Sequence, residues 1–289
     1  MWLRAWLAGA ILPLIALGQT SVRGNQNDMF ADAVAYDRFM GRWSRLVAPP
    51  FVEFAQIRDG DRVLDVGSGT GSLSNAIAAT RPKCHILGID PSPQYVAYAD
   101  SRKSSLNTSF ERGDAQKLKF EPATFDATTS LLVMNFIPDV RGAMSELVRV
   151  TRPGGTISAA VWDYGEGMQM LRLFWDAAVA LDSSAEPLDE RHMPLCRAGE
   201  LAELFRTAGL VDVQEEALDI ECKFSSFGDY WNPFLDGQGP AGSYVAKLAE
   251  DRRSVLRDRL EAKIHPMMSV GGSFPMRARV WAARGKVRR

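Results

Sequence analysis

Apolar positions along this chain recur first at helical spacing and then in short blocks. Val34, Tyr36, Phe39, Met40, Trp43 and Val47 fall near one helical face. Pro49 and Pro50 predict a break in that helix, with residues 51–57 resuming it. From residue 62 onward strand and helix signals alternate. Residues 62–66, 85–90, 109–112, 125–134 and 156–162 read as strands, several of them continuous apolar runs of the kind buried on both faces. Between them, Leu73 and Ile77 mark a helix that stops near Arg81 and Pro82, and Ser92 caps another that opens at Pro93. Asp139 caps a third, whose inner face is Val140, Met144, Leu147 and Val148, and Arg152, Pro153, Gly154 and Gly155 turn the chain into the fifth strand. Beyond residue 163 the pattern loosens. Residues 165–181 and 197–208 read as helices, 211–214 and 217–220 as strand, and 224–242 is rich in aromatics, glycine and proline. Val245, Leu248, Ala249, Leu256 and Leu260 mark one long amphipathic helix, and 277–282 alternates as a last strand. Strands separated by helix-length segments give right-handed βαβ units, so the order predicts a doubly wound α/β sheet of seven strands, mostly parallel, with an antiparallel last strand.

Composition narrows this picture only a little. The 289 residues fit one large α/β domain with an elaboration, and 46% hydrophobic against 24% charged residues is ordinary for a chain that buries a core. With 34 basic and 35 acidic residues there is no overall attraction to nucleic acid or anionic membrane. Three scattered cysteines, Cys84, Cys196 and Cys222, suggest neither a disulfide framework nor a zinc site, and they point to a reducing compartment. The first eighteen residues disagree: Arg4 precedes an apolar stretch over 5–17 that resembles a secretory signal. Residues 19–28 are polar and read as a linker. The expected organisation is a leader and linker over 1–28, signal-like, a misassigned start before Met29 or a weak anchor, followed by a single domain over 29–289 in a cytoplasmic setting.

The chemistry concentrates after the first strand. Three glycines, Gly67, Gly69 and Gly71, lie between a strand and a helix, where glycine allows a sharp turn and a close approach of ligand to backbone. A dinucleotide site would place a further small residue one position on, where Ser72 stands. Asp65, two residues before the first glycine, matters more. A pyrophosphate requires positive potential and disfavours a nearby carboxylate, whereas a ligand carrying a sulfonium and an ammonium gains from one. The run Asp65-Val66-Gly67-Ser68-Gly69-Thr70-Gly71 resembles the first motif of class I S-adenosylmethionine-dependent methyltransferases. Further matches follow: Asp90 at the end of the second strand, 25 positions after Asp65 (90 − 65), then Gly113-Asp114-Ala115, the 131–139 stretch containing Asn135, and Arg152-Pro153-Gly154-Gly155. The latter two are similar to small-molecule methyltransferases, including the quinone-biosynthesis C-methyltransferases.

The resemblance implies a Rossmann-like sheet with helical lid elements and S-adenosylmethionine held by Asp65, Gly67, Ser68, Gly69, Gly71, Asp90, Asp114, Ala115 and Asn135. In that scheme Asp90 accepts from ribose hydroxyls and Asp114 from the adenine amino group, while the next backbone N–H reaches the ring. Each also fits a local role, Asp90 as a helix cap and Asp114 as a turn residue. Relatives use a helix like residues 36–43 as a lid, so Tyr36 or Trp43 is placed near the sulfonium, with core packing as the alternative. No metal-ligand cluster is visible, and His192 is the candidate base, with a surface position beside Arg191 as the alternative. Asn135 lacks the Pro-Pro-aromatic continuation of nucleic-acid amino-methyltransferases, which disfavours DNA as substrate. Trp162, Tyr164, Phe174, Trp175, Tyr230, Trp231 and Phe234 are candidates for an apolar acceptor pocket or for core, and 163–275 is expected to include a substrate-covering elaboration. The reading is a methyltransferase acting on a small molecule, with no nucleic-acid partner and no stable membrane association unless the leader is an anchor. A nicotinamide-dependent oxidoreductase and a non-catalytic S-adenosylmethionine-binding protein are the alternatives.

Overall fold

A computed structural model describes residues 32–288. The leader and linker expected over 1–28, and the alternative start at Met29, lie outside the described residues. No helix among the described residues is long and apolar enough to cross a membrane.

The seven strands are β1 (Arg62–Val66), β2 (His85–Asp90), β3 (Thr108–Arg112), β4 (Phe125–Leu131), β5 (Thr151–Trp162), β6 (Val211–Phe224) and β7 (Phe274–Lys286). They form one sheet in the order β3-β2-β1-β4-β5-β7-β6. β1 to β5 pair in parallel, and β7 runs antiparallel to both β5 and β6, as the sequence pattern predicts. The order reverses beside β1, with β2 on one side and β4 on the other. This opens a crevice beyond the carboxyl ends of the strands, where open α/β sheets bind ligands.

The helices are α1 (Ala33–Tyr36), α2 (Arg42–Ala55), α3 (Ser72–Thr80), α4 (Pro93–Ser101), α5 (Val140–Val150), α6 (Gln169–Leu181), α7 (Glu200–Thr207), α8 (Phe227–Leu235), α9 (Gly239–Lys247) and α10 (Glu250–Ile264). The caps read from the sequence are present: Ser92 Oγ accepts from Tyr95 N at 3.4 Å, and Asp139 Oδ1 accepts from Gly142 N at 2.9 Å.

Several elements depart from the sequence pattern. α2 runs unbroken through Pro49 and Pro50. Two backbone hydrogen bonds are forgone, but Val47, Ala48, Phe51, Val52 and Ala55 are all fully buried against α3 and the β5–β7–β6 half of the sheet, and that burial outweighs the loss. Upstream the chain makes a π-helical turn (Asp37–Gly41), which rotates Phe39 and Met40 inward and leaves Val34 exposed. β4 ends at Leu131, short of the expected residue 134, because Leu132 takes a left-handed conformation (φ 67°) and starts a 3₁₀ turn (Met134–Phe136). The expected long helix is two: Leu248 and Ala249 are extended and separate α9 from α10. On α5 the buried face is Ala143, Met144, Leu147 and Val150, with Val140 and Val148 only half-buried. The two short strands expected at 211–214 and 217–220 are one, β6, irregular between Val211 and Gln214.

Candidate active site

A cavity of about 670 Å³ opens along the carboxyl ends of the parallel strands. That lies within the range of small-molecule sites. Its floor is the glycine-rich turn. Gly67 and Ser68 N–H groups both donate to Ile89 O, at 2.8 and 2.9 Å, which ties the end of β1 across to the end of β2. Gly67 has φ 72°, and a Cβ there would lie 2.5 Å from Val133 Cγ1, so no other residue fits beneath the turn after β4. Asp90 is buried at the tip of β2. Its Oδ2 accepts from Gly69 N at 3.0 Å and its Oδ1 from Ser92 N at 2.9 Å. Burial pushes its pKa up against these two bonds, which pull it down.

The residues named from the sequence divide into two groups. Tyr36, Gly67, Gly69, Asp90, Asp114 and Ala115 line the cavity. Asp65, Ser68, Gly71 and Asn135 do not; they lie behind the wall. Asp65 is 1% exposed, its Oδ2 accepts from Ser74 Oγ at 2.7 Å, and its Oδ1 has no hydrogen-bond partner among the described residues. Burial pushes its pKa up to about 7, partly offset by Ser74. Ser68 Oγ and Asn135 Nδ2 are likewise buried without partners among the described residues. Asp114 sits at the exposed rim and closes a turn, its Oδ1 accepting from Gln116 N at 2.9 Å.

His192 is not brought to the cavity. It is exposed, and its Nε2 lies 2.8 Å from Glu186 Oε1. The short 3₁₀ turn (Glu190–His192) instead directs Glu190 inward. Of the aromatics, Trp162 and Tyr164 line the cavity. Phe174, Trp175, Tyr230, Trp231 and Phe234 pack in the core, with Phe174 stacked on Phe234 at 4.6 Å between ring centroids. Trp43 is core as well, fully buried and edge-on to Trp162 at 6.5 Å. Tyr36 does face the cavity, 5.4 Å from the Tyr95 ring, and burial pushes its pKa up to about 12.

The wall thus combines polar positions, Gly67, Gly69, Asp90, Asp114 and Ala115, with large apolar side chains, Phe39, Met40, Trp162 and Leu171, and with Glu190, which interacts with Tyr164. The only basic lining residue among those described is Arg112, whose Nε donates to Pro91 O at 3.2 Å. Residues 64–159 match the family described as "Methyltransferase domain". Over those residues the chain carries a methyltransferase domain. An uncharacterised protein of Mycobacterium tuberculosis is 35% identical over 118 residues, covering 40% of this chain and 42% of that protein. The 2-methyl-6-phytyl-1,4-hydroquinone methyltransferase of Synechocystis is 30% identical over 195 residues, covering 66% and 57%. The matched region therefore spans about half the length of these relatives. In fold, the domain is similar to the Haemonchus contortus phosphoethanolamine N-methyltransferase 2 crystallised with S-adenosylhomocysteine. The TM-score is 0.56 at 18% identity, covering 91% of this chain and 58% of that one.

The match to the methyltransferase domain ends at residue 159, so it holds the polar positions of the cavity wall and stops short of Trp162, Tyr164 and Glu190. Glu190 is the residue that sequence reasoning missed. In the run Asp189-Glu190-Arg191-His192 nothing in composition separates the buried carboxylate from a solvated charge cluster.

Proposed function

We propose that the protein transfers a methyl group from S-adenosylmethionine to a small apolar acceptor. The observation that carries this is the charge of the cavity. Asp90, Asp114 and Glu190 line it against the single Arg112, and Asp65 lies just beneath with an unpartnered oxygen. A cationic sulfonium ligand gains from that field, whereas the pyrophosphate of a nicotinamide cofactor is repelled by it.

The residues fit this cofactor. Asp90 has lone pairs beyond those given to Gly69 and Ser92, available to ribose hydroxyls. Asp114 and the Ala115 N–H suit the adenine edge, and the loop of Gly67 and Gly69 leaves room for the ligand against bare backbone. Asp65, Ser68 and Asn135 act from behind the wall, Asp65 through its field. When bound, the cofactor supplies a methyl group already activated by its sulfonium. The protein's task is to orient the acceptor and exclude water. The 163–275 stretch serves as the acceptor cover, contributing Tyr164, Leu171, Glu190, Gly239 and Pro240 to the wall. An apolar acceptor agrees with the hydroquinone substrate named for the Synechocystis relative.

The direct test is incubation with methyl-labelled S-adenosylmethionine and a panel of phenols, hydroquinones, sterols and amines beside DNA, RNA and a protein mixture. The reading requires label in an apolar small molecule; label only in macromolecules, or in none of these, overturns it. Asp90→Ala is expected to weaken S-adenosylhomocysteine binding by at least about tenfold, the worth of one hydrogen bond to a charged group, measured by calorimetry. Tyr36→Ala is expected to cost about 0.5–2 kcal/mol of affinity for S-adenosylmethionine and less for the uncharged-sulfur product. Equal losses for the two ligands in the same titration would place the ring away from the sulfonium.

A further inference from the structure

One carboxylate on the cavity wall has no ion pair among the described residues. Glu190 is 4% exposed and lines the wall. Its Oε2 accepts from Trp175 Nε1 at 2.8 Å, while its Oε1 has no hydrogen-bond partner among the described residues. The neighbouring cation is committed elsewhere. Arg172 is buried and gives two bonds of 2.7 Å to Asp189 and one of 2.9 Å to Tyr164 O. That forked pair fixes the backbone immediately before Glu190, so the carboxyl is held at the cavity by a rigid support while Arg172 acts on it only through its field.

The other acids on the wall among the described residues are placed elsewhere. Asp90 is held at the tip of β2 by two backbone N–H groups, with its remaining lone pairs assigned to the ribose, and Asp114 closes a turn at the exposed rim. Tyr36, Tyr95 and Tyr164 are phenols that burial holds protonated. His192 lies outside. The groups facing Glu190 are Arg172 and the Trp175 indole from α6, Asp189 from its own turn, the Tyr164 hydroxyl from the loop after β5, and the Cys196 thiol, which burial above all keeps protonated. Burial is the largest influence on Glu190; with Asp189 it outweighs the Trp175 bond and Arg172 and pushes the pKa up to about 7, where a general base is most effective.

We propose that Glu190 is the proton acceptor of this site, and that the acceptor substrate is an apolar molecule whose nucleophilic group carries an ionisable O–H or N–H. The proposal rests on the methyltransferase reading. The acceptor's O–H or N–H gives its proton to Oε1 of Glu190, and its bonding electrons become available to the new bond to the methyl carbon. The electrons of the broken carbon–sulfur bond stay on sulfur, and Glu190 later returns the proton to water. An acceptor without such a proton has no use for a carboxylate in this position.

The test uses the full chain saturated with S-adenosylhomocysteine and titrated between pH 5.5 and 8.5, range limits set at about one to two units around neutrality. The probes are 2-naphthol, 2-naphthylamine and 2-methoxynaphthalene, the last carrying no ionisable proton. The proposal expects 2-naphthol or 2-naphthylamine to bind at least about tenfold more tightly than the methoxy compound above neutral pH, and the preference to vanish in Glu190→Gln and return in part in Glu190→Asp. Which of the two protic probes is preferred separates a hydroxyl from an amine acceptor. Equal affinity for all three probes, no binding of any, or a preference kept in Glu190→Gln overturns it. In parallel, infrared spectroscopy of the ligand-free Asp65→Asn protein, which lacks the other buried carboxyl pushed up to about 7, follows a carboxyl band near neutrality that is lost on adding Glu190→Gln and kept on adding His192→Ala; its persistence at full intensity with Glu190→Gln also overturns the proposal. Failure of S-adenosylhomocysteine to bind would strike the methyltransferase reading alone, since the infrared titration needs no ligand.

Discussion

Arg172→Met is expected to destabilise the fold by about 3–5 kcal/mol, the range for stranding one partner of a buried ion pair. Asp189 is 3% exposed and takes both Arg172 Nη atoms at 2.7 Å, with Arg191 Nε at 2.6 Å as a half-exposed second partner. Burial alone would push the Asp189 carboxyl up; the bonds from Arg172 and Arg191 overcome it and hold it below its ordinary range. Removing Arg172 leaves that charge buried with one partner at the surface, and it also frees Tyr164 O on the cavity wall. Chemical denaturation measures the loss, and Arg172→Met with Asp189→Leu should recover most of it, because two apolar partners leave no charge stranded. A single variant within about 1 kcal/mol of the parent would show that the pair does not organise this turn.

Asp65→Asn should make the ligand-free protein more stable at pH 8, by up to about 4 kcal/mol, and no more stable at pH 4. Burial raises the folded-state pKa from 3.8 to about 7, against Ser74, which lowers it, and with Asp90 adding to the rise. The protonated form is therefore the one the fold prefers. Its contribution is complete below the unfolded value and is lost as pH rises through about 7. Asparagine keeps the shape and removes the charge that must otherwise form in the interior. Melting temperatures across pH 4 to 8 for parent and variant test this; parallel curves would contradict it. The same carboxylate links stability to binding. A cationic ligand above the loop favours the charged form of Asp65, so S-adenosylmethionine affinity should increase as pH rises through neutrality in the parent and vary less in Asp65→Asn.

The sheet was legible because its signals are local. Residues 62–66 and 85–90 carry short apolar runs with Asp65 and Asp90 at or next to their ends, and Ser92 and Asp139 are caps whose partners lie three residues away or fewer. The polar positions of the cavity wall were legible for the same reason: they are residues at the ends of consecutive strands. The misreadings are non-local. Pro49 and Pro50 predict a break by their own chemistry, and only the face of Val47, Phe51 and Ala55 packed against the sheet keeps α2 whole. Leu132 ends β4 early through a left-handed backbone that brings Val133 over Gly67, a tertiary arrangement with no sequence signature. Glu190 and His192 stand two residues apart in a charged run, and the choice of which turns inward is made by Trp175 and Arg172 on α6.

A cavity built for S-adenosylmethionine beyond the glycine turn should distinguish sulfur ligands from dinucleotides. Thermal melting of the protein with S-adenosylmethionine, S-adenosylhomocysteine and NADH in parallel tests it most directly. Ligand at about 100-fold over its dissociation constant stabilises by roughly 2.7 kcal/mol, well within detection. Both sulfur ligands should raise the melting temperature, NADH should not, and most of the rise should be lost in Asp90→Ala. A shift with NADH alone, or with no ligand in a folded sample, would contradict it.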